Sequence, residues 1–600
     1  MPPSTPIRRS LYLVACLAPV WAVVAFATDG FTLALGGLRI KATEPIRPLM
    51  IGALAAAFYL RKYGRADIDH DGRWLLNQLK RAALVAVPIL VLMACAIGIH
   101  YGSFTAGGSD SYGYVSQASL WLKGSLRIEQ PWVQQFSSPI REWMFAPLGY
   151  RPISTDGTIV PTYASGLPMV MAIFQAVFGA NGPFLVVPVV GALAVWMTYV
   201  LGREATGSRA VGTLAALLLL SSPTFLAHLM LPMTDVVVAA GWTLVCLLAL
   251  GAERPPSRET SADHPSLGGG GKLRPTGTPR APRALLAGLA AGATLMVRPN
   301  LVLLAMVPLV TWRSRPAAVV RFAIGLAPAV AAIGAINWYL YGSPFTSGYG
   351  GLGDLYGWSS AWPNLTHYSL WLVQTQTPLV ALAVVPMIAR GALRPDTQTK
   401  VRLCLGSLMV LTLVSYIFYN PFNLWMYLRF LLPTYPALFV LMAAGIRFVC
   451  AKMPVPVRAL AAMLMCALCV ASSYQFSRDW HLFTSKDFEQ RHIKAARYVE
   501  QLTPETAVII CVQHSGSVRY YAHRITLRYD SIYEHRLDTT LRELAAKGYR
   551  PYIVVDDWEE VEFRKRFAAK NRAGALDWKP VVRVLTSPEV RIFDPEGRFE

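Results

Sequence analysis

Between residues 11 and 474 the chain returns fourteen times to an apolar run, at 11–28, 48–60, 82–99, 166–180, 183–201, 210–230, 236–251, 284–297, 301–312, 322–341, 370–388, 401–418, 425–446 and 457–474. Such runs read as membrane-spanning helices, several of them shorter than the ~20 residues that a straight span needs. The expectation is a mostly α, polytopic transmembrane bundle. Composition agrees, since 54% hydrophobic and 15% charged residues exclude an ordinary soluble enzyme. The formal charge of +21 does not signal nucleic acid. Acids and bases nearly balance over 476–600, so the excess lies in loops between apolar runs, where Lys and Arg orient spans rather than form a nucleic-acid footprint.

Arg8 and Arg9 place the N-terminus inside. Ala25-Phe26-Ala27 has the form of a signal-peptidase site, but the apolar stretch before it is longer than a signal h-region, so the first helix reads as uncleaved. The basic loops at 61–81, 254–283, 313–315, 390–402 and 447–458 all fall on the cytoplasmic side only if 166–180 does not cross. That segment is short, follows Pro161 and ends in Gly179-Ala180-Asn181-Gly182-Pro183, so it reads as a re-entrant or interfacial helix. About thirteen spans remain, with a long polar loop at 100–165 and everything after Tyr474 outside. The corresponding domains are 1–81, two added spans; 82–475, the main bundle; and 476–600, an external tail. Residues 253–283, with Pro255-Pro256 and glycines at 268–271, read as a flexible cytoplasmic linker without a P-loop context. Seven of the eight cysteines lie in or beside apolar runs, so no disulfide framework is expected.

The tail changes period. Helical patterns at 487–502, 537–547 and 558–568 alternate with strand patterns at 507–512, 525–529 and 552–555, and a hairpin closes across Thr586-Ser587-Pro588-Glu589. This is a small α/β domain with a largely parallel sheet. Asp557 with Glu560 fits a capping box at the last helix.

The polar loop opens on Gly107-Gly108-Ser109-Asp110-Ser111-Tyr112-Gly113-Tyr114 and continues to Trp121-Leu122-Lys123-Gly124. Further on come Leu231-Pro232-Met233-Thr234-Asp235, Val297-Arg298-Pro299-Asn300, Tyr341-Gly342-Ser343-Pro344-Phe345 and Leu428-Arg429-Phe430-Leu431-Leu432-Pro433. From about residue 82 to the C-terminus, this ordered set resembles the GT-C glycosyltransferases of the protein mannosyltransferase and aminoarabinose transferase type. The resemblance implies a GT-C-like bundle that transfers a sugar from a polyprenyl-phosphate donor to a glycan, lipid or protein acceptor. Transfer would occur with inversion at the outer face of the cell (inner) membrane, among membrane lipids and without nucleic acid.

Such chemistry needs a carboxylate for the acceptor proton and cations for the departing phosphate. The external side of the membrane part offers few acids: Asp29, Glu44, Asp110, Glu129, Glu142, Asp156, Asp235 and Asp354. The resemblance puts the base at Asp110, where the alternative role is to cap the helix that follows. Ser111 stands where the close mannosyltransferase pattern has Glu. Asp235 is the second catalytic candidate, with helix capping again the competing reading. Arg298 and Arg429 are candidates for the phosphate, and Tyr114 and Tyr349 for the sugar. His228 and His367 read as packing residues; no metal site is assigned and no cofactor is certain, with a divalent metal left open. Two other readings stay open: a transporter or flippase for a lipid-linked saccharide, since intramembrane acids also mark transport paths, and a noncatalytic cell-envelope assembly protein.

Overall fold

The computed structural model of the chain describes residues 5–35, 38–251, 281–351, 353 and 355–599. Most of the expected linker, its glycine run and Asp354 lie outside these. The bundle is helical, as the apolar runs require. Its long helices are α1 (Thr5–Ala27), α2 (Ile46–Lys62), α3 (Arg65–His100), α4 (Asp110–Lys123), α5 (Gly166–Phe178), α6 (Gly182–Thr206), α7 (Arg209–Ser221), α8 (Thr234–Leu250), α9 (Ala281–Val297), α10 (Pro316–Tyr341), α11 (Ala361–Gln376), α12 (Gln398–Ile417), α13 (Tyr435–Ala451) and α14 (Val455–Asp479). By length and composition, seven helical segments can cross a membrane, or up to nine if two sharply bent pairs each count as one span. Three shorter apolar helices, 234–250, 282–297 and 299–311, accompany them.

Contacts between helix ends sort these segments into two levels. At one level Arg478 donates to Thr28 O (3.3 Å), Ser103 N donates to Met230 O (3.0 Å) and Arg298 pairs with Asp235 (2.8 Å). At the other, Arg8 pairs with Asp71 (2.9 Å), Tyr12 donates to Pro456 O (2.5 Å), Trp312 to Ala249 O (3.2 Å), Arg394 N to Ala205 O (3.0 Å) and Arg447 to Ala392 O (3.0 Å). Following the described residues from contact to contact gives thirteen passes between the levels, provided that α5 does not make one.

Its surroundings show that it does not. Gly166 backs onto Met296 and Val297 at the first level, and Gly182, the first residue of α6, backs onto the Phe174 carbonyl. Six residues later Pro188 is still level with Gly98, in the last turn of α3. The thirteen residues of α5 therefore stay at the first level and turn back at Gly179, whose φ of 69° suits a residue without Cβ. α13 is apolar all round and almost wholly buried, which makes it a central helix. The added helices α1 and α2 are fastened to α3 and α14, partly through the buried Asp71, which accepts from Arg8 and Tyr59.

After α14 the chain forms α15 (Ser485–Leu502), β1 (Ala507–Ile510), β2 (Ile525–Leu527), α16 (Leu537–Ala546), β3 (Arg550–Asp556), α17 (Asp557–Phe567), β4 (Val582–Val584) and β5 (Val590–Phe593). The sheet order is β2-β1-β3-β5-β4, with the first three strands parallel and the β5-β4 hairpin antiparallel. The capping box lies one residue earlier than the sequence suggests. Asp556 and Glu559 form it, because β3 runs directly into α17 and leaves Asp556 as the last extended residue.

This domain shares a core with the polar loop. Val133, Phe136, Met144 and Phe145 pack in the same apolar cluster as Val508, Ile553 and Phe563. The half-buried Arg519 guanidinium donates to Gln130 Oε1 (2.8 Å) and to Phe145 O. Basic residues crowd the level opposite this domain. Thr399 and Glu500 are both exposed, at opposite levels. In sealed vesicles, Thr399→Cys and Glu500→Cys should therefore react with an impermeant maleimide from opposite sides. Labelling of both from one side would overturn the thirteen-pass path.

Candidate active site

A cavity of about 790 Å³ opens between the bundle and the C-terminal domain, lined by Asp110, Tyr114, Arg298, Tyr349 and Arg429 among others. Four charged side chains from four separate stretches meet at this level. Asp110 is the first residue of α4, yet it does not cap its own helix. Its Oδ1 accepts from the Tyr163 hydroxyl (2.6 Å), which also meets Ser109 Oγ (2.6 Å). Its Oδ2 accepts from Arg429 Nη1 (3.1 Å). The side chain keeps 29% of its surface exposed, so the carboxylate reaches the cavity. Burial, reinforced by the Asp110 charge, holds the Tyr163 phenol well above its usual pKa. Tyr163 therefore stays a donor to Asp110 at neutral pH.

Asp235, in the first turn of α8, is fully buried. Its Oδ1 accepts from Arg298 Nη2 (2.8 Å), which also donates to Thr234 Oγ1 (2.6 Å). Its Oδ2 has no hydrogen-bond partner among the described residues and lies 4.0 Å from Arg429 Nη1. Arg298 follows α9, and Arg429 sits in the 3₁₀-type stretch Trp425–Thr434, where its guanidinium also stacks near Tyr427 and Phe430. The charges thus alternate in the order Asp110, Arg429, Asp235, Arg298. Two donors in this array are buried and unpaired among the described residues, Arg298 Nη1 and Arg429 Nε. An unsatisfied buried N–H of a charged group is costly, so this is the place where an anion would gain most.

The two tyrosines expected near the sugar also arrive here. Tyr114 packs on Tyr163 (ring centroids 4.8 Å apart), and Tyr349 meets the same ring edge-on (5.9 Å) with about half its own surface exposed. All six residues singled out in the sequence are therefore gathered at this one level, although Asp235 is sealed beneath the arginines rather than open to the cavity. Sequence reasoning missed Tyr163, Asn300 as a partner of Tyr416 (3.2 Å), and the whole contribution of the C-terminal domain. A tyrosine some fifty residues from its carboxylate carries no local signal.

Among the described residues neither His228 nor His367 hydrogen-bonds to the array. His228 Nδ1 lies 2.8 Å from the Thr224 carbonyl, and His367 stacks on Trp371. One group of buried side chains among the described residues, His514, Asp556 and Glu559, has its ligand atoms within 4.8 Å of one another and could hold a metal ion. These atoms are already engaged with protein. Asp556 accepts from His514 (2.8 Å) and from Arg491 (3.2 Å), while Glu559 accepts from Gln513 N, Asp556 N and the Tyr529 hydroxyl. A guanidinium on the same carboxylate opposes a second cation, so no chemical step is assigned to a metal here.

Removing a sealed partner should cost more than removing a solvated one. Asp235→Ala would strand the Arg298 charge and should destabilise the protein by about 3–5 kcal/mol, seen as a clear fall in thermal midpoint. Asp110→Ala should cost much less, and equal losses would contradict this description of the array.

Comparison with known proteins rests on structure. No family model matches the sequence, and no curated protein matches it. The fold is similar to ArnT from Cupriavidus metallidurans in the apo state, with a TM-score of 0.51 and 14% identity over 85% of this chain and 98% of that one. It is similar to the same protein bound to undecaprenyl phosphate, with a TM-score of 0.50 and 11% identity over 84% and 97% of the two chains. A weaker match is the archaeal oligosaccharyltransferase AglB from Archaeoglobus fulgidus in complex with an inhibitory peptide and a dolichol-phosphate, with a TM-score of 0.47 and 13% identity over 80% of this chain and 70% of that one. At these identities the likeness speaks for architecture: the chain has the fold of the GT-C glycosyltransferases.

Proposed function

We propose that this multi-pass membrane protein is an inverting glycosyltransferase, moving a sugar from a polyprenyl-phosphate donor to an acceptor at the outer face of the cell membrane. The observation that carries the reading is the alternating array of two carboxylates and two arginines, with unpaired guanidinium donors, at the head of a large cavity. The ArnT structure of the same fold is described as bound to undecaprenyl phosphate, which supports an anionic polyprenyl ligand. The crowding of basic residues at the opposite level favours the outer face for the cavity and the C-terminal domain.

In this reading the donor phosphate engages Arg298 and Arg429, since planar guanidinium groups match phosphate oxygens. Asp235, buried between them, supplies the countercharge that holds both arginines in place before the donor arrives. When phosphate draws on Arg429, Asp110 Oδ2 loses its ion-pair partner and is free to accept a proton, while Tyr163 and Ser109 keep Oδ1 fixed. The acceptor hydroxyl then attacks the anomeric carbon from the face opposite the phosphate. As the new C–O bond forms, the bond to phosphate breaks and its electron pair leaves on the phosphate oxygen. The hydroxyl proton passes to Asp110. The transition state is oxocarbenium-like, so the carboxylate also helps electrostatically. Tyr114 and Tyr349 give the sugar an aromatic wall.

The test is incubation of the purified chain with a panel of polyprenyl-phosphate sugars, following release of the carrier phosphate. Asp110→Asn keeps the size and the hydrogen bond from Tyr163 but cannot take the proton. It should fold, bind donor and lose at least about 100-fold in turnover, the lower end of general-base contributions. Near-normal turnover in a folded Asp110→Asn protein would eliminate Asp110 as the base.

A further inference from the structure

The cavity has a second wall, and the charged array does not use it. The C-terminal domain contributes Phe488, Glu489, Arg491 and His492 from the first half of α15, Gln513 just after β1, and Trp558 just after β3. β1 and β3 are adjacent parallel strands. Gln513 and Trp558 thus stand at neighbouring carboxyl ends of a parallel sheet, the edge where open α/β sheets place ligands. The fold turns that edge toward the cavity. It is locked there by the shared core with the polar loop and by His492, whose ring lies against Gly107 too closely for any side chain at that position.

Most polar groups on this wall are committed to protein. Arg491 holds Asp556 and the Phe488 carbonyl, His492 lies against His514 (3.3 Å), and Glu559 caps α17. Two are not. Among the described residues the Glu489 carboxylate makes no hydrogen bond or ion pair, and neither does the Gln513 side-chain amide. Burial raises the Glu489 carboxyl above its usual pKa, as expected of an acid that lacks a partner. The Trp558 indole, which lines the same cavity, is 48% exposed.

An acceptor of hydroxyl protons, a two-way amide and a half-exposed aromatic face form a set suited to a polyhydroxylated ring. Hydroxyls bond to the polar pair and C–H faces lie on the indole. Charge narrows the class further. Arg491 on the same wall and the two arginines of the array disfavour a cation, and Glu489 disfavours an anion. We propose that Glu489, Gln513 and Trp558 form a saccharide-binding subsite and that the acceptor enters the cavity as a neutral glycan. Its role as acceptor site rests on the glycosyl-transfer reading; its affinity for sugar does not.

Saturation-transfer NMR on the full chain in lipid nanodiscs separates the two. The probes are neutral trisaccharides of glucose, mannose, galactose and arabinose, with trilysine as a cationic control and undecaprenyl phosphate binding measured in parallel. At least one trisaccharide should receive saturation. The signal should fall about five- to ten-fold in Trp558→Ala and in Glu489→Gln, with thermal midpoint and undecaprenyl phosphate binding unchanged. No transfer to any trisaccharide, transfer that survives Trp558→Ala, or stronger binding of trilysine would each overturn the subsite. Sugar binding without any undecaprenyl phosphate binding would uphold the subsite and remove its assignment as an acceptor site.

Discussion

Four charges from four different stretches of chain are held together at one end of a helical bundle, and the geometry of everything around them follows from the cost of keeping them there. Asp235 is sealed from solvent and survives as a charge because Arg298 lies 2.8 Å away and Arg429 4.0 Å away. Arg429 in turn reaches Asp110. The alternation of sign makes the array nearly neutral as a whole, while leaving two guanidinium N–H groups and one carboxylate oxygen without a partner among the described residues. A purely structural network would tend to close those bonds, since buried polar groups are seldom left unpaired. An array preorganised for an incoming anion keeps them open and avoids reorganising charge when the anion departs.

Asp110 is the carboxylate of the array that meets the cavity, and its position is set by elements beyond the helical bundle. The loop that carries it rests on the C-terminal domain. Gly107 lies under His492, Ala106 N donates to the Tyr521 hydroxyl (2.8 Å), and Leu148 N donates to Ser515 Oγ (3.1 Å). The α/β domain is therefore a wall of the site as well as an appendage to the bundle. Displacement of that domain would move α4 and the carboxylate at its head. A transporter reading fits less well, because the charged groups gather at one level with the cavity instead of along a path through the bundle.

Much of this was legible in the sequence, for reasons that differ by element. The apolar runs announce helices because lipid permits little else, and the short length of α5 and the glycines that follow it, taken with the parity of the basic loops, already set that helix apart in the sequence. The tail is legible because the period switches between helix and strand, with the capping box displaced by a single residue. Asp110 and Asp235 stand out because external acids are scarce near apolar runs, and Arg298 and Arg429 because the motifs that carry them resemble those of the GT-C transferases. Tyr163 and the wall formed by Glu489, Gln513 and Trp558 do not stand out. They are ordinary residues in polar segments, and their meaning comes from long-range packing: Tyr163 from the fold of the loop, the others from the direction in which the sheet faces. Whether a carboxylate caps its own helix or reaches across a site is likewise not written in local spacing, and for Asp110 and Asp235 it is the long-range contacts within the chain that decide.

The central claim is that the array exists to bind a polyprenyl phosphate. The most direct measurement is an experimental structure of the chain with undecaprenyl phosphate. The account predicts phosphate oxygens within hydrogen-bond distance, about 3 Å, of the now unpaired Arg298 Nη1 or Arg429 Nε, with the contact between Arg429 and Asp110 lengthened and the Asp110 carboxylate facing the cavity. A phosphate seated elsewhere, with all four charges of the array still in the arrangement described above, would contradict it.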